Sequence, residues 1–504
     1  MIKVDNIKVP LDYNDDVIKN LIEKKIKDKV LSYKIYKKSV DARGEVVFNM
    51  SFLVNVKNEK RHSKLFYTPK NPLVVPKSSN KNVVIVGSGP AGLFNALILI
   101  EAGLKPIIVE RGKDVVGREK DIDDLLKNRN LNPESNFVYG IGGAGTYSDG
   151  KLTTNINSEY NSFVLETFVK FGADPDILYE SKPHIGSDIL KKIVSNMTDY
   201  INKHGHIYFE HKFVDIIDKK IKCIYHDEEV FFDFDYLVLA IGHSPKDTFE
   251  MLYSKGLNME AKPFSMGVRI EHKQELINKI QYGKYAGHIN LPNATYKMAV
   301  HLDTRDVYTF CMCPGGIVVP SMDSSDRVLV NGMSYKSRDL ENSNAAILVN
   351  VKTSDYETNH PLSGFDFRDK YELLNYNRDY KANIARLEDF LNNKVTSKIG
   401  SVKPSYPLDY NFKSMDECLP NFVCDSLRKS IPLFDNIMHG FNDKDAILTA
   451  IESRSSCPVR IVRNSELVTN IDYIYAIGEG SGYSGGITTS AIDGIRIALK
   501  IVNR

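Results

Sequence analysis

Tryptophan is absent from this 504-residue chain, and cysteine occurs only six times. So few thiols exclude a disulfide-stapled scaffold, and a reducing cytoplasm is the compartment that fits. The N-terminal run MIKVDNIKVPLDYNDD lacks the apolar core and small-residue cleavage site of a secretory signal. No stretch approaches the ~20 apolar residues of a membrane span, so no membrane is expected. Neither sign of charge prevails: 66 Lys and Arg against 64 Asp and Glu leave a formal charge of +2. Nothing at the whole-chain level therefore calls for nucleic acid. Repeats and low-complexity tracts are missing too. No metal signature is present, because the CxC of Cys311 and Cys313 is not zinc spacing by itself.

What is present fits a globular protein: 42% hydrophobic and 26% charged residues. At ~150 residues per domain the length implies about three units. Residues 1–79 read as a small α+β module in the order β-α-β-β. Ile2–Val9 is strand-like, Asp16–Lys29 has helical apolar spacing, and Leu31–Ser39 and Glu45–Val56 alternate as strands. Residues 69–82 carry three prolines with serines and lysines, a linker composition. Residues 80–259 and 451–504 read as two parts of one α/β domain. Between them, 260–450 reads as an inserted, mixed β-rich substrate domain with strand-like runs such as Arg327–Val330 and Ala345–Val351.

The strongest motif is Gly87-Ser88-Gly89-Pro90-Ala91-Gly92. It follows the buried strand Asn82–Val86, opens a helix through Leu99, and precedes a second strand, Pro106–Glu110. An acidic residue, Glu110, falls about twenty positions after Gly89, as a dinucleotide fingerprint requires. Gly87 permits the tight turn, Gly89 lets the backbone approach a pyrophosphate, and Gly92 lets helix and strand pack closely. The helix N-terminus offers free N–H groups to phosphates. Glu110 can accept hydrogen bonds from ribose hydroxyls.

Three further segments resemble FAD-binding oxidoreductases: Glu110-Arg111-Gly112, the strand Tyr236–Ile241 ending at Gly242, and Tyr475–Gly480. In the last, Glu479 stands where such proteins usually carry the Asp that meets the ribityl chain. Gly485-Gly486-Ile487 then opens a closing helix, Thr488–Val502, whose N-terminus the resemblance turns toward the flavin ring. The segments Gly142–Leu152, Lys182–Gly186, Gly242–Pro245, Lys262–His272, Cys311–Gly316 and Asn331–Ser334 sharpen the likeness. Together they are similar to the bacterial FAD-dependent dehydrogenases, also called NAD(FAD)-utilising dehydrogenases, most of which have no assigned reaction. The resemblance implies a split Rossmann-type FAD-binding domain and a cofactor set that adds Arg118, Gly142, Gly143, Ser148, Asp149 and Lys151. The glycine-rich loop that carries most of these is equally readable as a tight structural turn.

Candidates for chemistry beside the flavin are His243, Cys311, Cys313, Glu452 and Arg454. His272, His301, Arg269 and Arg460 are weighed with them as acid–base or anion-binding groups, or as structural residues and ion pairs. Cys311 and Cys313 lie in a strand-like run, Val307–Met312, where alternation would turn both sulfurs to one side. Cys457 stands where the family usually has Ser or Thr, so its thiol is not expected to be catalytic. No second GxGxxG unit is present, so NADH or NADPH is expected only as a transient donor. The expected function is an FAD-dependent oxidoreductase acting on a small molecule. Alternatives are a flavin monooxygenase, a polyprenyl-type reductase, or a non-catalytic flavin-bearing protein. In the last, the lysines Lys19, Lys24, Lys25, Lys27 and Lys29 would let the N-terminal module recruit a protein or RNA partner, beside the plainer reading of a solvated face.

Overall fold

The computed structural model describes residues 1–69, 71–356 and 360–504. Lys70, inside the expected linker, and residues 357–359, inside the expected insert, lie outside the described residues. The first unit is a three-stranded antiparallel sheet in the order Ile2–Val9, Val47–Val56, Val30–Asp41. One helix packs on it, burying Ile18, Ile22 and Ile26. Asn14 starts that helix by accepting from the Val17 N–H at 2.9 Å. The helix runs Asp15–Ile26 and stops short of the expected Lys29, because Lys27 turns left-handed at φ 56°. Its lysines are partly engaged within the chain: Lys25 Nζ donates to Asp5 O at 2.6 Å, and Lys19 pairs with Asp15 at 3.4 Å.

The α/β unit is built on a five-stranded parallel sheet in the order Ile474–Ala476, Tyr236–Leu239, Val83–Val86, Ile107–Val109, His206–Tyr208. All four residues of Val83–Val86 are buried, as a parallel strand covered on both faces demands. One outer strand comes from the far end of the chain, so the domain is split. Helices Pro90–Glu101 and Ile487–Asn503 lie against each other on this sheet. Their contact is close: a Cβ on Gly494 would stand 2.2 Å from Ala91 O.

Residues leaving the parallel sheet enter a seven-stranded sheet. Its order is Ala299–His301, Asp306–Cys313, Asn342–Val351, Phe264–Lys273, Ile447–Glu452, Ala382–Arg386, Tyr410–Phe412. It is antiparallel except for the last pair. Strand Ile447–Glu452 runs across the boundary expected at 450. The outgoing and returning chains pair as a short antiparallel joint, Met259–Ala261 against Val459–Ile461. The expected strand Arg327–Val330 is corrected: only Val330 joins a strand, Val330–Met333. Arg327 is instead held by ion pairs to Asp326, Asp369 and Glu372, which fix that stretch through its side chain rather than a ladder. Among the described residues, no helix is long and apolar enough to cross a membrane, and no group of three or more His, Cys, Asp or Glu is placed to hold a metal.

Candidate active site

The carboxyl ends of the parallel strands face the seven-stranded sheet across a cavity of about 800 Å³. That volume lies in the range of small-molecule and cofactor pockets, ~300–1,000 Å³. From the α/β side the walls are Gly87, Gly89, Pro90, Ala91, Glu110, Arg111, Gly143, Ser148, Lys151, Gly242 and His243. Gly478, Glu479, Gly485, Gly486 and Ile487 complete that side. From the sheet side come Cys311, Asn331, Arg338, Glu452 and Arg454. Fingerprint, distal motif and insert therefore meet at one chamber.

Two helices open onto it, Pro90–Glu101 after Gly89 and Ile487–Asn503 after Gly486. Neither has a side-chain cap, so both leave first-turn N–H groups available to an anionic ligand. Gly89 tests whether a cofactor fits. Its φ of −69° suits any residue, and a Cβ there would meet nothing within 4 Å. Neither backbone nor protein packing requires this glycine; a ligand lying against the backbone would. Gly87 differs, with φ +98° and a Cβ that would stand 2.4 Å from Ala240 O. Gly143, at φ +64°, brings the second glycine loop to the first: its Cβ would lie 3.3 Å from Gly89 Cα.

Glu110 is bound on both oxygens by the chain. Oε2 accepts from Ser88 N at 3.0 Å and Ser88 Oγ at 2.6 Å. Oε1 accepts from Gly112 N at 2.9 Å and Gly140 N at 3.2 Å. It thus fixes both loops while lining the cavity. Arg111 is held by Glu134 at 2.6 Å and Asp247 at 3.2 Å. Glu479 accepts from Gly486 N at 3.2 Å, and burial pushes its carboxyl up to about 7.

Five expected site residues do not line the chamber. Gly92 packs behind it, where a Cβ would stand 2.1 Å from Gly87 O. Gly142 also lies behind, its Cβ position 2.2 Å from Thr146 Oγ1. Arg118 is fully buried and donates to the carbonyls of Asn136, Phe137, Gly140, Ile141 and Gly143 at 2.8–3.3 Å. It braces the loop instead of reaching a ligand. Asp149 is fully buried between Lys151, at 2.8 Å, and Arg338, at 2.5 Å. Burial opposes its charge, but those two cations outweigh it and hold the carboxyl far below its usual range. Cys313 is fully buried and does not line the chamber, whereas Cys311 does. Cys311 takes φ 43°, and the ladder slips between Phe310 and Cys313, which breaks the alternation.

The polar groups of the sheet side are mostly neutralised in pairs. Glu452 receives Arg269 Nε and also Arg269 Nη2, the latter at 3.1 Å. Burial nevertheless pushes its carboxyl up to about 6. Arg454 is claimed by Asp323, at 2.5 and 2.8 Å, and by Glu372, at 2.8 and 3.0 Å. It is an ion-pair hub. His243 lines the chamber, and burial with nearby Arg368 and Arg454 pushes it down to about 3, so it is neutral. His272 is buried against Phe441 O at 2.7 Å, His301 pairs with Asp306 at 2.7 Å on the surface, and neither lines the chamber. Arg460 sits 4.0 Å from Glu260. Sequence reasoning missed Arg338, Asp323 and Glu372. Only Arg338 lay near a recognised segment, a few residues beyond Asn331–Ser334.

Three family models match: a domain of unknown function over residues 1–55, an FAD binding domain over 80–120, and the C-terminal domain-like region of FAD-dependent proteins over 263–455. An uncharacterized protein of Clostridium beijerinckii (strain ATCC 51743 / NCIMB 8052) is 42% identical, over 100% of this chain and 99% of its own length. Among solved structures, a flavoprotein/dehydrogenase from Cytophaga hutchinsonii is 10% identical with a TM-score of 0.36, covering 84% of this chain and 79% of that one. A triple mutant of the flavin-dependent brominase Bmp2 is 12% identical with a TM-score of 0.39, covering 84% and 81%.

Proposed function

The chain belongs to the family of FAD-dependent proteins, and from that premise we propose that this FAD-dependent oxidoreductase is a dehydrogenase whose small-molecule substrate is held against the seven-stranded sheet. One observation carries the reading. The dinucleotide loop and the polar face of the insert line one continuous chamber, with Gly89 at one wall and Glu452 at the other.

When bound, FAD supplies reversible two-electron chemistry. The chain's own residues bind and orient. The backbone N–H groups after Gly89 suit the pyrophosphate, and those after Gly486 suit the electron-rich edge of the ring system. Glu110 ties the two glycine loops together and Arg118 braces the second. Glu479, which accepts from Gly486 N, would accept from the ribityl hydroxyls. Glu452 is the group able to take a proton from substrate at a carboxylate oxygen. Its upward shift to about 6 leaves it mostly ionised at neutral pH yet basic enough to accept. Arg269 fixes its direction.

NADH or NADPH is the proposed transient donor. Anaerobic titration with each, following the visible flavin band, tests this. Rapid bleaching by one of them supports a nicotinamide-linked dehydrogenase. No bleaching by either, with FAD tightly bound, rules that donor out.

A further inference from the structure

Four of the six cysteines, Cys223, Cys418, Cys424 and Cys457, are packed into cores. Burial pushes the thiols of Cys223, Cys418 and Cys457 up to about 12. Cys311 and Cys313 are built differently. Cys311 is half-buried and forms part of the chamber wall, and Cys313 is fully buried. The strand carrying them, Asp306–Cys313, slips its register between Phe310 and Cys313. Cys311 takes φ 43°, a left-handed conformation that costs a non-glycine residue and persists only where the surroundings impose it. The slip folds Cys313 Sγ to 3.2 Å from Cys311 O, within hydrogen-bonding reach of the Cys311 sulfur.

Two cations stand beside the pair. Lys151 Nζ donates to Met312 O, the carbonyl between the two cysteines. Arg269 Nη1 donates to Cys311 O at 2.9 Å. The Cys313 thiol, then Lys151 and Arg269, favour a thiolate on Cys311 against the opposing effects of burial and of the Asp149 carboxylate. Cys313 is pushed the other way, toward the protonated form, by Cys311 and by burial. One cysteine thus forms part of the chamber wall with its thiol pushed toward the anionic form. The other is a protonated thiol within reach of it.

We propose that Cys311 and Cys313 are a redox-active thiol pair, with Cys311 Sγ the nucleophile toward a small organic disulfide entering the chamber and Cys313 Sγ the resolving group. The proposal rests on reading the chamber as the substrate site. Cys311 thiolate attacks one sulfur of the disulfide; that S–S bond breaks, one thiolate leaves, and a mixed disulfide forms on Cys311. Cys313 gives its proton to the departed thiolate and attacks Cys311 Sγ. The mixed bond breaks and a second thiolate leaves. Across both steps the cysteine pair is oxidised by two electrons to a disulfide. The organic disulfide is reduced to one thiol and one thiolate.

The test uses the holoprotein, with flavin content read from visible absorbance in every sample, and 2-hydroxyethyl disulfide as the probe. Free thiols are counted after denaturation and intact mass is measured. Wild type should lose two of its six thiols and about 2 Da, with no adduct, and dithiothreitol should restore both. Cys313→Ser should trap one mixed disulfide at Cys311, and Cys311→Ser should react at neither position. A stable adduct on wild type, an unchanged thiol count, or oxidation mapped to another cysteine would overturn the proposal. A negative thiol result in flavin-loaded protein removes the thiol pair and leaves the flavin assignment intact. Absence of flavin from the samples would count against the latter alone.

Discussion

Gly89→Asp should move stability and cofactor binding in opposite directions. Gly89 precedes the helix Pro90–Glu101 with φ −69° and ψ −178°, values open to aspartate. A Cβ meets nothing within 4 Å, so the flavin-free fold has room for the side chain. An aspartate at this position accepts from first-turn N–H groups and opposes the positive helix end, worth about 0.5–1 kcal/mol over glycine. The same carboxylate occupies the donors that a pyrophosphate would use. It also sets a like charge about 4 Å from a phosphate, which at an effective dielectric of ~20 costs about 4 kcal/mol, or about a thousandfold in Kd. The assay is FAD fluorescence quenching on flavin-free protein, beside a thermal melt of the same sample. The paired control is Gly92→Ala, whose Cβ would stand 2.1 Å from Gly87 O. That variant should lose fold and flavin together. Retention of FAD within tenfold of wild type by a well-folded Gly89→Asp protein would refute the phosphate-loop reasoning.

Asp149→Asn leaves Lys151 and Arg338 without their buried carboxylate and should cost about 3–5 kcal/mol in urea unfolding. Because the folded state depresses the Asp149 carboxyl below its ordinary 3.8, its contribution is present above that value and lost as pH falls beneath it. The gap between wild type and variant should therefore close below about pH 4; a constant gap would count against the pairing. Glu479 has the opposite sign: its folded carboxyl is raised to about 7, so the stability it contributes is full below 4.5 and disappears as pH rises through 7. Glu479→Gln should flatten the melting-temperature profile of flavin-free protein across that window, a difference of about 3 kcal/mol at its upper end, and parallel profiles would contradict it. Arg118→Met removes the donors to five carbonyls and should destabilise by about 3 kcal/mol or more. Hydrogen exchange over residues 136–143 should rise and flavin occupancy fall; unchanged exchange there would deny Arg118 its bracing role.

The parts of this protein that were legible in its sequence are those whose signal is local. The run Asn82–Val86, the glycines after it and Glu110 announce a dinucleotide loop because each physical demand falls on a specific neighbour. The β-α-β-β order of the N-terminal unit was readable from periodicity, although the stop at Lys27 depends on one residue's left-handed turn. Partners brought together by the insert were not legible. Asp149 meets Arg338, and Glu452 meets Arg269, across long stretches of chain. No local pattern distinguishes such arginines from solvated ones. Arg118 was read as a cofactor contact for the same reason: its five carbonyl acceptors belong to a loop whose path no periodicity predicts. Alternation misplaced Cys313 because a slipped register leaves no mark on composition.

The split parallel sheet also sets an order of events during synthesis. Strands Val83–Val86 and Ile107–Val109 leave the ribosome early, while their fifth partner, Ile474–Ala476, and the helix Ile487–Asn503 come near the chain's end. At ~5–20 residues per second the interval is tens of seconds. Throughout it, the face of helix Pro90–Glu101 that Ile487–Asn503 will cover stays bare. The insert, whose exit and return are clasped by the Met259–Ala261 and Val459–Ile461 joint, has most of its sheet translated before the domain that bears it is whole. Nascent chains should therefore need protection at that helix face, and acquisition of flavin should mark the moment the last helix docks.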